Sequence, residues 1–166
     1  PGFQVEISRE PLGVIGIISP WNFPIAIPAW KAAPAMMCGN AVILKPASLT
    51  PASAIALTEI ISKQDIPSGL FNLVLGSGSN IGNRIASHPD IVAITFTGSV
   101  EVGKKLYQNS SPLLKKMQME MGSKNPLVVM EDANLNTAIS CAANGAYGGT
   151  GQKCTCLLYT SDAADE

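Results

Sequence analysis

The chain has 166 residues, 46% hydrophobic and only 14% charged, with a formal net charge of −1. That length supplies one domain with a real core, or one domain and part of another. The composition excludes a disordered chain, and the near-neutral balance speaks against nucleic acid or another polyanion as partner.

No apolar run is long enough to span a bilayer, so a cytoplasmic protein without a membrane partner is expected. The cysteines Cys38, Cys141, Cys154 and Cys156 are too few and too scattered for a disulfide framework. They fit a reducing compartment, where a special thiol is reactive rather than structural. Residues 12–18 (LGVIGII) are apolar without strict alternation, as in a strand buried on both faces. Pro20 to Pro24 (PWNFP) then turns the chain. Residues 25–37 predict a helix stopped at Cys38-Gly39-Asn40, and residues 41–44 (AVIL) a second buried strand ended by Lys45-Pro46. Thr50 as N-cap and Pro51 at the first helical position predict a helix over 51–63. Residues 73–75 predict a third strand, 76–80 a loop and 81–87 a short helix. Residues 91–96 (IVAITF) predict a fourth strand, and Thr97-Gly98-Ser99 opens a helix to about Gln108. A fifth strand is expected over 113–120 with Lys115 and Lys116 near its solvent end, a sixth over 125–130, and a helix over 133–146. Strands alternating with helices at this spacing predict an α/β fold with a mostly parallel sheet and right-handed crossovers. Ligands bind such sheets beyond the carboxyl ends of the strands.

The loops at those ends carry the chemistry. Gly76, Gly78 and Gly82 form a glycine-rich turn that lets backbone approach a phosphate, although a plain turn explains the spacing equally well. Gly98 to Gly103 is a second such loop, with Ser99 at a helix start that favours an anion or simply caps the helix. Lys45 can reach a ribose hydroxyl or a phosphate, or stand in solvent. Cys154 sits in a Gly-rich polar loop where a thiol is accessible, with Lys153 beside it to favour the thiolate. Cys38 and Cys141 lie in apolar helical context and read as core fillers. His88 reads as a surface residue, so neither a Cys–His pair nor a metal site is expected. Glu120 beside a glycine turn reads as a buried carboxylate suited to a general base, with a surface acid as the other reading. Asn22 can donate to an oxyanion or merely stabilise its turn.

Together these motifs resemble the aldehyde dehydrogenase superfamily. The match runs from about Gly2 to Thr155 through PWNFP, Lys45-Pro-Ala with Thr50-Pro51, FTGS with Glu101-Val-Gly103, Glu120-Met-Gly122 with Lys124, and Gly151-Gln-Lys-Cys154. The resemblance implies a Rossmann-like parallel sheet of that family's fold. It also implies oxidation of an aldehyde to an acid with NAD or NADP. Cys154 would be the nucleophile that forms a thiohemiacetal and then a thioester. Asn22, with the Cys154 N–H, would stabilise the oxyanion, and Glu120 would activate water. Trp21, Lys45, Ser48, Gly78, Gly82, Gly98, Ser99 and Val102 would line the cofactor.

Ser48 stands where the family often has a ribose-binding Glu, which points to tolerance of, or preference for, NADP. Ser123 replaces a frequent glycine, as in semialdehyde-oxidising members, and a semialdehyde such as 2-oxoglutarate semialdehyde is the expected substrate class. Residues 1–122 are expected to be an N-terminally incomplete cofactor-binding domain and 123–155 the start of the catalytic domain. The string 156–166 resembles the in-frame translation of a transposase sequencing adapter and reads as a non-native tail; a genuine divergent C-terminus is the other reading. The fragment alone is expected to be inactive, and the full-length protein a homodimer or homotetramer. A CoA-acylating relative and a non-catalytic dinucleotide-binding protein on the same fold are the rivals.

Overall fold

The structure, a computed structural model, describes residues 2–122 and 124–157. β1 (Val14–Ile18) is apolar on both faces and is covered on both. Ile17 packs with Ala32 of α1 (Ala26–Met37), Val42 and Leu44 of β2 (Ala41–Lys45), and Ala54 of α2 (Pro51–Ser62). Ile18 packs on the other face with Ile85 and Ala86 of α3 (Asn83–Ser87), Ile94 and Phe96 of β4 (Ile91–Gly98), and Leu106 of α4 (Val100–Ser110). A Cβ on Gly16 would stand 2.5 Å from Ile85 Cγ2, so α3 rests directly on β1 and the strand has no room for a side chain there.

β3 (Phe71–Leu73) and β5 (Lys116–Met121) complete a five-stranded sheet in the order β3-β2-β1-β4-β5, with every neighbouring pair parallel. Strand order reverses between β1 and β4, the place where an open parallel sheet receives its ligand. α5 (Leu135–Tyr147) follows, and a 3-10 turn, Gly148–Gly151, leads into the Cys154 loop. No helix among the described residues is long and apolar enough to cross a membrane.

The differences from the expected elements have local causes. β3 begins two residues before the expected 73–75, because the Asn72 side-chain amide donates to the carbonyls of Val42 and Gly69 and anchors its start. Leu75, expected inside it, is half exposed. The helix expected from residue 81 begins earlier, as a wide turn over Gly78–Gly82 capped by Ser77. Thr50 occupies the N-cap of α2 without a capping bond, and its hydroxyl is buried without a partner among the described residues.

β5 starts at Lys116 rather than 113, because Ser111–Leu113 curls into a 3-10 turn and Leu114 takes a left-handed φ of +50°. Lys115, expected in solvent, is buried. Residues 125–130 form no strand: among the described residues they have no ladder partner, and Val128 and Met130 lie in the open. Cys38 and Cys141, expected as core fillers, are both exposed: Cys38 is the C-cap that ends α1, and Cys141 lies on α5, which has no buried residue. The Ser123 reading and the end of the 156–166 string lie outside the described residues.

Candidate active site

The Cys154 loop is folded sharply by Gly149, Thr150 and Gly151, which take consecutive left-handed φ values of +64°, +57° and +74°. Two of the three are glycine, the residue that adopts this backbone without strain. The turn delivers the Gln152 carbonyl to Asn22, whose Nδ2 donates to it at 2.8 Å across 130 residues of sequence. From the other side, Asn125 Nδ2 donates to the carbonyls of Cys154 at 2.7 Å and Cys156 at 3.1 Å. Cys154 is exposed, as its loop predicts. Asn22, Thr97, Gly98, Glu120 and Cys154 line one cleft of about 40 Å³ at the carboxyl ends of β1, β4 and β5. Asn22 Oδ1 and Thr97 Oγ1 are buried there without hydrogen-bond partners among the described residues.

Glu120 differs from its expected setting. It lies at the end of β5 and is exposed, so no burial cost forces it to be used or paired. Its Oε1 accepts from Gln118 Nε2 at 3.2 Å. Gln118 Oε1 in turn accepts from Lys31 Nζ at 2.8 Å and from the Thr95 hydroxyl, and Thr95 Oγ1 accepts from Lys31 at 2.7 Å. Burial pushes the Lys31 amine below its ordinary pKa, and the Glu120 carboxylate opposes that shift. This polar row runs along a groove of about 630 Å³ beside α1, and Glu120 and Cys154 also line it. Sequence reasoning missed Lys31, Thr95, Thr97, Gln118 and Asn125. The available signal was period two: Thr95 and Thr97 alternate along β4, Gln118 and Glu120 along β5, and the register sets Thr95 opposite Gln118.

The expected cofactor residues separate into two groups. Lys45 is 5% exposed, and among the described residues its ammonium has no hydrogen-bond partner. Burial lowers its pKa. A Cβ on Gly78 would stand 3.9 Å from Lys45 Nζ, so the glycine turn and the lysine face one another. Ser48 Oγ donates to the Gly76 carbonyl at 3.4 Å, which places it at the same loop. An unpaired cation beside open glycine backbone fits the ribose and phosphates of a dinucleotide.

The others have local explanations. Gly82 packs beneath Leu106 and Ile18, and a Cβ on Gly98 would stand 2.5 Å from the Phe96 ring. Ser99 Oγ accepts from the Val102 N–H at 3.3 Å, an ordinary helix cap. Trp21 is half-buried in its turn and Val102 is exposed. Among the described residues no three His, Cys, Asp or Glu side chains gather to hold a metal ion.

The model of the aldehyde dehydrogenase family matches residues 1–159. A 2,5-dioxopentanoate dehydrogenase of Saccharolobus solfataricus is 45% identical over 157 residues, covering 93% of this chain and 33% of the relative. A solved NADP-dependent enzyme of E. coli superposes with a TM-score of 0.85 at 41% identity, over 87% of this chain and 30% of that one. A betaine aldehyde dehydrogenase of Staphylococcus aureus in complex with NAD+ superposes with a TM-score of 0.87 at 36% identity, over 89% of this chain and 29% of that one. The chain therefore spans about a third of the length of the curated relative. With nearly all of its residues matched and its sheet shared with these structures, the chain belongs to the aldehyde dehydrogenase family.

Proposed function

We propose that the complete protein oxidises an aldehyde to a carboxylic acid with NAD or NADP, through covalent catalysis by Cys154. The observation that carries this reading is the 2.8 Å bond from Asn22 to the Gln152 carbonyl, which holds the cysteine loop at the mouth of the sheet. An amide nitrogen has two N–H donors. One is used on Gln152, and the other is free for a developing oxyanion. The Cys154 thiolate attacks the aldehyde carbon, and its own N–H joins Asn22 in stabilising the resulting oxygen anion. When bound, the nicotinamide supplies the hydride acceptor. The thioester left on Cys154 is hydrolysed by water, from which Glu120 takes a proton. Its exposure and its place in the cleft suit a base that must exchange protons with solvent.

Lys45, Ser48 and Gly78 would hold the adenosine end of the dinucleotide, and Gly82, Gly98, Ser99, Trp21 and Val102 would complete its bed. A semialdehyde is the proposed substrate class, supported by the similarity to the 2,5-dioxopentanoate dehydrogenase. A homodimer or homotetramer is the proposed state of the complete protein. The test is steady-state formation of reduced cofactor by the enzyme from the complete reading frame. Full activity without CoA is expected, with kcat/KM for 2,5-dioxopentanoate at least about tenfold above betaine aldehyde. An absolute CoA requirement would decide for the acylating rival.

Ser48 makes a separate prediction. A hydroxyl can donate to a 2′-phosphate, whereas a carboxylate repels it. NADP is expected to bind at least as tightly as NAD, and Ser48→Glu to weaken NADP by at least about tenfold, roughly 1.4 kcal/mol, with NAD spared. Equilibrium titration of both cofactors checks this; a wild type favouring NAD tenfold would sink it.

A further inference from the structure

We infer that Lys115 is a positioning residue for the cofactor loop: it holds α3, and through α3 the Gly78–Gly82 turn, against the sheet. The inference rests on the reading of that turn as a dinucleotide seat. α3 has five residues, too few to stand as a helix by its own hydrogen bonds. The last carbonyls of any helix lack partners within it. Here the Lys115 ammonium arrives from the start of β5 and donates to the Ile85 carbonyl at 3.2 Å and to the His88 carbonyl. A cation also complements the negative end of the helix.

The chain is bent to place it there. Leu114 adopts φ +50°, a backbone that branched side chains rarely take, and its own side chain is 89% exposed. An apolar residue is turned out so that a charged one can turn in, which inverts the order that hydrophobicity alone would set.

The turn just upstream of Ile85 is built into α3. The helix continues without a break from Gly78–Gly82, and Asn83 Nδ2 donates back to the Ser79 carbonyl at 2.6 Å. Ile81 fills the space a Gly76 side chain would occupy, with Cγ1 2.7 Å from that Cβ position. Loop and helix therefore form one body, and its far end is Gly78, facing Lys45. Removing the Lys115 ammonium takes its donor from the Ile85 carbonyl, leaves the His88 carbonyl with the Ile91 N–H at 3.3 Å, and loosens that body at the end opposite the cofactor.

The experiment compares Lys115→Met and Lys115→Arg with wild type in the complete enzyme. Lys115→Met is expected to raise the KM for the cofactor about tenfold while kcat at saturation stays within about twofold. Amide exchange over 79–87 should accelerate at least tenfold, with β1 and β2 unchanged. Lys115→Arg keeps two donors and should return KM to within about threefold of wild type. An unchanged cofactor KM in Lys115→Met overturns the inference, as does a loss of protection spread evenly over the sheet. Should the Met variant not fold, Lys115→Gln is read against Lys115→Arg by the same measurements, and equal KM values in those two overturn it. A wild type that reduces neither NAD nor NADP defeats the dehydrogenase reading itself; an active wild type with an indifferent Lys115 defeats only this inference.

Discussion

Cys154→Ala in the complete enzyme is expected to lower kcat for aldehyde oxidation by on the order of 10⁴-fold or more, with cofactor affinity within about twofold of wild type. The nucleophile is asked to split a difficult displacement into two easier steps, and no other thiol can take its place. Cys38 and Cys141 do not line the cleft, and Cys156 is buried, its Sγ donating to the Ala146 carbonyl at 3.1 Å. Residual turnover above about a hundredth of wild type would overturn the covalent mechanism. The same variant separates an enzyme from a binding protein on this fold, which would have no turnover to lose. Cofactor titration of the variant guards against misfolding as the cause.

Asn22→Ala is expected to cost about 10²–10³-fold in kcat, about 2.7–4 kcal/mol, the usual effect of losing one oxyanion donor. The structure adds a second consequence. The same Nδ2 tethers the cysteine loop through Gln152, so the substitution also frees one side of that loop. Asn125 still holds the loop from the other side through the carbonyls of Cys154 and Cys156. The rate of Cys154 alkylation by iodoacetamide should therefore change by less than about fivefold while kcat falls far more. A kcat loss under tenfold would remove Asn22 from the oxyanion role. A kcat loss matched by an equal change in alkylation would make it a loop tether only.

The strands that were legible in the sequence are those buried on both faces. β1, β2 and β4 are continuous apolar runs, and their interior place follows from that alone. Residues 125–130 carry the same signal, yet make no strand, because a strand also needs a neighbour to receive its hydrogen bonds. Lys115 was misread because charge alone argues for water; the carbonyls that receive it come from a helix thirty residues away in sequence. In the candidate site, residue type singled out Cys154, Asn22 and Lys45, and the fold sets Cys154 and Asn22 on one cleft and Lys45 beside Gly78. The site was illegible where register does the work. Lys31, Thr95 and Gln118 converge only because β4 and β5 align as they do and the long Lys31 side chain reaches across from α1, which packs on β1 and β2.

The all-parallel register has a consequence for biosynthesis. The β2 partner of β1 follows within 27 positions, from Val14 to Ala41, but the other edge of β1 must wait for β4, whose first paired residue, Ile91, follows Val14 by 77 positions. At about 5–20 residues per second, that edge stays without its partner for roughly 4–15 s. During this interval Gly16, Ile17 and Ile18 present unsatisfied backbone and apolar surface together, the combination that recruits chaperones or neighbouring nascent chains. Among the described strands, β1, at the centre of the sheet, is thus the one that waits longest for a partner.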